Sequence, residues 1–430
     1  MDVMNSMLLV SEWASGFWPN IIKWFAGVGS IGVGIMLLTI ALKTILFPLD
    51  FWQKMSSRKM TAQQALMKPE LDEIQAKYKD NPEMLKAKQQ EIYRKYNTTK
   101  STSTGCIGML IYMAVTMLIF FTLFSGLTNI SRTKINYEYY QLQQTYVSAI
   151  ENGKTEEEAQ EEVVVQYEEI KEGFISIKNI WRPDNWSSVF PDGEQFIKST
   201  NTRFGVYEYV IVESEIPEEV QKIKYVFLST NEEKLVDSNE KEYIEPYVDL
   251  SGKIYLLKGE GLSEPTTVTI GDKTYDDIAY AETSEEYKTY EEATANLVKT
   301  TFINDYNKVT NGITEKYKGQ WNGYLVLVIL SGAITFLSSW FSTLGVKTKD
   351  KDGNIVKGAK PKPLMGIILA GVMVFFTISY TSAFAIYIIT NSAISMLYTF
   401  ISNLILNKLE IKPKTRKGKK EVEVADYVRR

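Results

Sequence analysis

Residues 30–49, SIGVGIMLLTIALKTILFPL, form an apolar run that holds one ammonium group, Lys43. At about 1.5 Å per residue a helix of this length spans roughly 30 Å, the thickness of a bilayer's hydrocarbon core. A lysine facing lipid there costs a few kcal/mol, so it marks a functional candidate. Segments of the same character recur at 107–127, 323–344, 364–380 and 383–406. Inside lipid a single segment satisfies its backbone N–H and C=O groups only as a helix, so the expectation is an all-α polytopic membrane protein with five transmembrane helices.

Charge distribution predicts which side each loop occupies. The net charge of -4 hides 37 acidic and 20 basic side chains in residues 128–321, net -17, which leaves +13 for the remainder. Lys and Arg number 11 in residues 51–104, six in 345–363 and nine in 408–430. Short basic loops stay cytoplasmic, so these three segments face the cytoplasm, while the acidic stretch and the N-terminus lie outside. The predicted order is an outer interfacial helix (1–29), span one (30–49), a cytoplasmic helical hairpin (50–104), span two (105–127) and an extracytoplasmic α+β insertion (128–321). Span three (322–344), a cytoplasmic loop (345–363), spans four (364–381) and five (382–406) and a basic cytoplasmic tail (407–430) follow. One cysteine, Cys106, allows no internal disulfide. The absence of histidine removes most metal and acid–base chemistry, and no cofactor or metal is expected.

Residues 1–29 lack the pattern of a cleaved signal peptide. Trp18, Ile21, Ile22 and Phe25 repeat at helical spacing behind Pro19, which predicts an amphipathic helix in the outer interface rather than a merely sticky tail. Gly27, Gly29 and Gly32 match GxGxxG, but no strand precedes them and an apolar span follows, so the dinucleotide reading fails and a bend into the membrane is predicted. In the hairpin, Asn81 is placed to cap a helix with Pro82 at its first position and Glu83 near its positive end. In the outer insertion, residues Ile135 to Ile150 step at helical intervals, Gly153 breaks the helix, and Thr155 with Glu158 forms a capping box. FGVYEYVIV, KYVFL, KIYLL and TTVTI predict a small β unit over 204–280, with Gly271-Asp272 at a tight turn. Tyr290 to Tyr317 return to helical spacing. Lacking any catalytic constellation, the insertion reads as a scaffold or docking surface.

KTILFPLDFWQKMSSRKM, the Lys/Gln-rich hairpin that follows it, TGCIGMLIYM and SAFAIYIITN together resemble the core of the YidC/Oxa membrane protein insertase family over residues 17–127 and 321–410. Residues 175–184, with Trp181-Arg182-Pro183-Asp184, resemble the segment that joins spans two and three in that family. The resemblance implies a bacterial plasma-membrane insertase and not an enzyme. It further implies a hydrophilic groove open to cytoplasm and lipid, whose positive floor is Lys43, where the family usually has arginine. Thr39 and Tyr387 line the groove's walls, and Tyr112, Thr116, Ser331 and Asn391 supply further polar faces. Implied partners are nascent membrane proteins, membrane lipids, the ribosome through KPKTRKGKK, and the Sec translocon, but no DNA.

Bland readings stand beside this one. Lys43 is about 9 Å from the end of its span and could snorkel to the interface, and lone Ser or Thr residues in spans more often glue helices together. A polar-cavity transporter or channel is the alternative function, although no internal repeat accompanies it. A Ser–Lys hydrolase needs a paired nucleophile motif that is missing.

Overall fold

The computed structural model describes residues 11–96, 98–186, 188–210, 222–229, 235–236, 242–243, 246–258, 264–270, 273–343, 347–349, 355–357 and 363–409. Its helices are α1 Phe17–Ala26, α2 Ile31–Lys77, α3 Pro82–Lys95, α4 Thr98–Glu151, α5 Glu156–Ile170, α6 Gly193–Thr200, α7 Tyr290–Lys316, α8 Val326–Thr343, α9 Pro363–Ser379 and α10 Ser382–Lys408. The strands are β1 Arg203–Val210, β2 Lys222–Ser229, β3 Leu235–Val236, β4 Glu242–Tyr243, β5 Ile254–Leu256, β6 Val268–Ile270, β7 Lys273–Tyr275, β8 Ile278–Tyr280, β9 Lys347–Lys349 and β10 Ile355–Lys357. The protein is mostly helical with a small sheet region. Three helices are long and apolar enough to cross a membrane, Ile31–Thr61, Ile107–Glu151 and Ser382–Lys408, and two shorter apolar helices cover Val326–Phe341 and Gly366–Ser379. That supports a polytopic membrane protein with three to five apolar helices.

The chain divides into two compact units, one of residues 1–34, 125–327 and 377–384, the other of 35–124, 328–376 and 385–430. The first unit has a closely packed interior. Its core is aromatic: Tyr139 meets Phe196 at 5.1 Å and Tyr306 at 4.7 Å between ring centroids, and Phe302 and Phe190 close around them. The sheet has the order β1-β2-β5-β8, with β5 and β8 parallel and the other pairs antiparallel. It meets α7 through Phe204 on Phe302 and through the Tyr247 hydroxyl, which donates to Asp305 at 2.7 Å. β6 and β7 pair with Ile270 opposite Lys273. The turn expected at Gly271-Asp272 lies outside the described residues, as do most of 345–363 and the basic tail from 410.

Local signals behave as their chemistry demands. Asn81 accepts from the Met84 N–H at 3.1 Å and caps α3. Gly153 adopts φ 81° after α4, and Thr155 and Glu158 form the reciprocal capping box of α5. A second box, Thr289 with Glu292, starts α7. Two helices run on past the end of an apolar segment. α2 continues through Pro48 and through Pro69 as one helix of 47 residues. The helix expected over 135–150 is likewise one piece with the second apolar segment, in α4. Among the glycines of the GxGxxG match, Gly32 serves close packing: a Cβ there would fall 2.4 Å from the Phe174 ring.

The most interlocked part of the first unit is residues 179–185. The Asn322 side chain donates to the backbone carbonyls of Asn179, Arg182 and Pro183 and accepts from the Asn179 N–H at 2.8 Å. Ser382 donates to the Arg182 carbonyl through both its N–H (2.9 Å) and its hydroxyl (2.7 Å). The fully buried Asp184 carboxylate accepts from the N–H groups of Leu325 (2.7 Å) and Leu327 (2.6 Å).

Candidate functional site

The second unit forms a partly open cavity of about 360 Å³, room for roughly ten water molecules. Lys43 and Thr39 reach it from α2, Thr116 and Phe120 from α4, Met373 and Phe376 from α9, and Tyr387 and Asn391 from α10. Helical geometry explains the set: Thr39 and Lys43 are four residues apart, as are Thr116 and Phe120, and Tyr387 and Asn391, so each pair stacks on one helix face.

Thr39 is buried and turns its hydroxyl back to the Ile35 carbonyl at 2.6 Å, as Thr commonly does inside a span. Thr116 does the same to the Tyr112 carbonyl at 2.8 Å. Tyr387 is buried, its ring 6.3 Å from that of Phe120. Lys43 is half-buried and forms no ion pair among the described residues. The carboxylate that acts on it, Asp50, lies two turns along α2 and is bonded to Lys54 Nζ at 2.6 Å. The cavity therefore carries one cation whose charge is not answered at contact distance, between walls that are mainly apolar.

Five of the seven residues read from sequence thus surround one space. The other two do not. Tyr112 lies one turn along α4 from Thr116 and is not among the residues that line the cavity. Ser331, fully buried on α8, donates to the Val328 carbonyl at 2.9 Å and does not line the cavity.

Beyond the cavity, sequence reasoning missed a polar ladder that joins α2 to α10. Thr44 and Tyr398 share a hydrogen bond of 2.6 Å between hydroxyls, and Lys54 donates to Thr399 at 2.9 Å. Arg58 donates from Nη2 to Asn403 Oδ1 and from Nη1 to Asn407 Oδ1, both at 2.7 Å. The signal was available as i, i+4 spacing: Lys54 and Arg58 on one helix, Thr399, Asn403 and Asn407 on the other.

Residues 23–202 match the family described as 60Kd inner membrane protein. Among curated proteins, the membrane protein insertase YidC of Phocaeicola vulgatus is 40% identical over 116 residues, which is 26% of this chain and 17% of that protein. Over these residues the chain is similar to insertases named YidC. The YidC of Clostridium perfringens is 30% identical over 128 residues, 30% of this chain and 50% of the relative. That of Thermosynechococcus vestitus is 31% identical over 133 residues, 30% of this chain and 31% of the relative. The matched regions thus span half or less of these relatives' lengths. No solved structure matches the chain.

Proposed function

We propose that the protein is a membrane protein insertase whose working surface is the cavity around Lys43. The observation that carries this is one unpaired ammonium, set in a long apolar helix and turned toward a space shared with Thr39, Thr116, Tyr387 and Asn391. The similarity to insertases named YidC supports the same reading.

The physics is that of carrying a short polar tail across an apolar slab. A hydrated groove shortens the dry path, and a cation inside it attracts an acidic tail. At about 4 Å and an effective dielectric near 20 the attraction reaches about 4 kcal/mol, and groove water reduces it. Burial of the apolar segment that follows drives completion, so no nucleotide is needed. In this reading all five apolar segments are spans, the N-terminus is outside and the C-terminus cytoplasmic, and α1 lies in the outer interface. The end of α2 and α3 form the cytoplasmic hairpin that receives the substrate. The 128–321 insertion is an outer scaffold. The substrates are nascent membrane proteins, and the basic tail and the Sec translocon give routes to them.

The test is reconstitution into liposomes with a single-span protein bearing a short acidic tail. Lys43→Arg retains insertion, and Lys43→Met slows it by about tenfold, which corresponds to about 1.4 kcal/mol of barrier. Equal rates for both variants would reduce Lys43 to a snorkelling residue. Solute flux without insertion would favour a transporter.

A further inference from the structure

The ladder between α2 and α10 has an unbalanced charge. Lys54 is answered by Asp50 at 2.6 Å. Arg58 is not: it is only 7% exposed, and its partners are the neutral amides of Asn403 and Asn407. No carboxylate lies within ion-pair distance of it among the described residues. Buried charges are costly unless an opposite charge completes them, and amide oxygens supply dipoles only. The C-terminal end of α10 adds about half a negative charge, but Lys408 follows directly after Asn407. The site stays net positive.

Arg58 also has donors to spare. A guanidinium carries five N–H groups, and the two amides use two of them. The amides hold the plane of the fork fixed, which is the arrangement that favours planar, bidentate recognition of a phosphate or carboxylate over that of a point charge.

Position selects among anions. Arg58 falls near the end of the apolar stretch of α2, Ile31–Thr61. On the span side of its partners α10 carries outward-facing apolar side chains: Leu397 is 49% exposed, Phe400 57% and Leu404 51%. Trp52, six residues before Arg58, is 36% exposed, as suits an interfacial aromatic. Apolar surface therefore reaches the level of Arg58, at the depth of lipid headgroups.

We propose that Arg58, oriented by Asn403 and Asn407, is a binding site for the phosphodiester of an anionic phospholipid whose acyl chains lie along Leu397, Phe400 and Leu404. Basic pockets between helices at a membrane surface bind acidic headgroups in this manner. The site is separate from the Lys43 cavity, and its test does not depend on what the protein inserts.

The experiment uses the purified full chain in a neutral detergent, titrated with phosphatidylglycerol, phosphatidylcholine or inorganic phosphate while the midpoint of thermal unfolding is followed. A ligand that binds only the folded state at 100 times its Kd stabilises by about 2.7 kcal/mol, a rise of several degrees. Phosphatidylglycerol should give such a rise and the other two should not. Arg58→Gln should abolish it. Arg58→Lys, which keeps the charge without the fork, and Asn407→Ala, at the exposed edge, should each reduce it, and they serve if the Gln variant does not fold. An undiminished rise in these variants overturns the proposal. An equal rise with inorganic phosphate would make the site one for a free anion and overturn the lipid assignment. Ending the chain at Leu409 should leave the rise intact, and its loss would give the lipid to the basic tail instead.

Discussion

Asp184→Ala is the sharpest test of how the first unit is held together. Asp184 is fully buried, and each of its carboxylate oxygens accepts one N–H: Oδ1 from Leu325 at 2.7 Å and Oδ2 from Leu327 at 2.6 Å. These amides belong to the first turn of α8 and the residues before it, where N–H groups have no partner within the helix and the dipole favours a negative charge. Tyr324 and Leu325 sit at φ 57° and 62°, a left-handed conformation that costs non-glycine residues of order 1–3 kcal/mol each. The carboxylate holds that strained pair in place. Removing it leaves one buried and one partly buried donor without acceptors, at about 1–3 kcal/mol for the buried one and less for the other. Relaxation of the strained residues recovers part of this, so a net loss of about 3 kcal/mol is the central expectation. For a unit of this size that is a fall of roughly 6–12 °C in Tm. The assay is thermal unfolding of the full chain in detergent, followed by tryptophan fluorescence. Asp184→Asn, which keeps one acceptor oxygen, should fall between Ala and the parent. A fall under about 2 °C for Asp184→Ala would refute the reasoning, because it would mean that water replaces the carboxylate at no cost.

Two further perturbations test the outer part of the chain. Burial pushes the Glu168 carboxyl up, but hydrogen bonds from Lys171, Lys316 and Tyr317 outweigh it and hold it down at about 2, below the ordinary 4.5. A depressed carboxylate stabilises the fold above its ordinary value and loses that contribution as pH falls toward its folded value. The Tm deficit of Glu168→Gln should therefore be full at pH 6 and shrink toward pH 3, and a deficit independent of pH would exclude the ionic tie. Replacing residues 204–280 by a short linker removes the Tyr247–Asp305 hydrogen bond and uncovers Phe302, which is 1% exposed. It should lower Tm yet leave insertion largely intact, and loss of insertion in a folded deletion would give the sheet a direct role.

Much of the site was legible because the signals are local. Thr39 and Lys43 share a helix face by spacing alone, and so do Tyr387 and Asn391, so these pairs could be read as polar faces before any neighbour was known. Tyr112 and Ser331 do not line the same cavity. A face of a helix is visible in sequence, but which neighbour it meets is not. Arg58 was hidden for the same reason, since a basic residue in a basic segment looks solvated until a second helix buries it.

The chain by itself determined its apolar segments, its charge asymmetry, the caps at Asn81 and Thr155 and the helical or extended character of most stretches. These depend on residues a few positions apart. Tertiary structure alone decided that α2 runs unbroken through Pro48 and Pro69, that Asp184 ties down strained residues 140 positions away, and that Arg58 meets Asn403 and Asn407. A proline in a helix interior costs one hydrogen bond and a clash, and packing against neighbours determines whether the helix tolerates that cost. The i, i+4 spacing of Lys54 and Arg58, or of Thr399, Asn403 and Asn407, marks a polar face on each helix, but nothing in either set says which other face it meets.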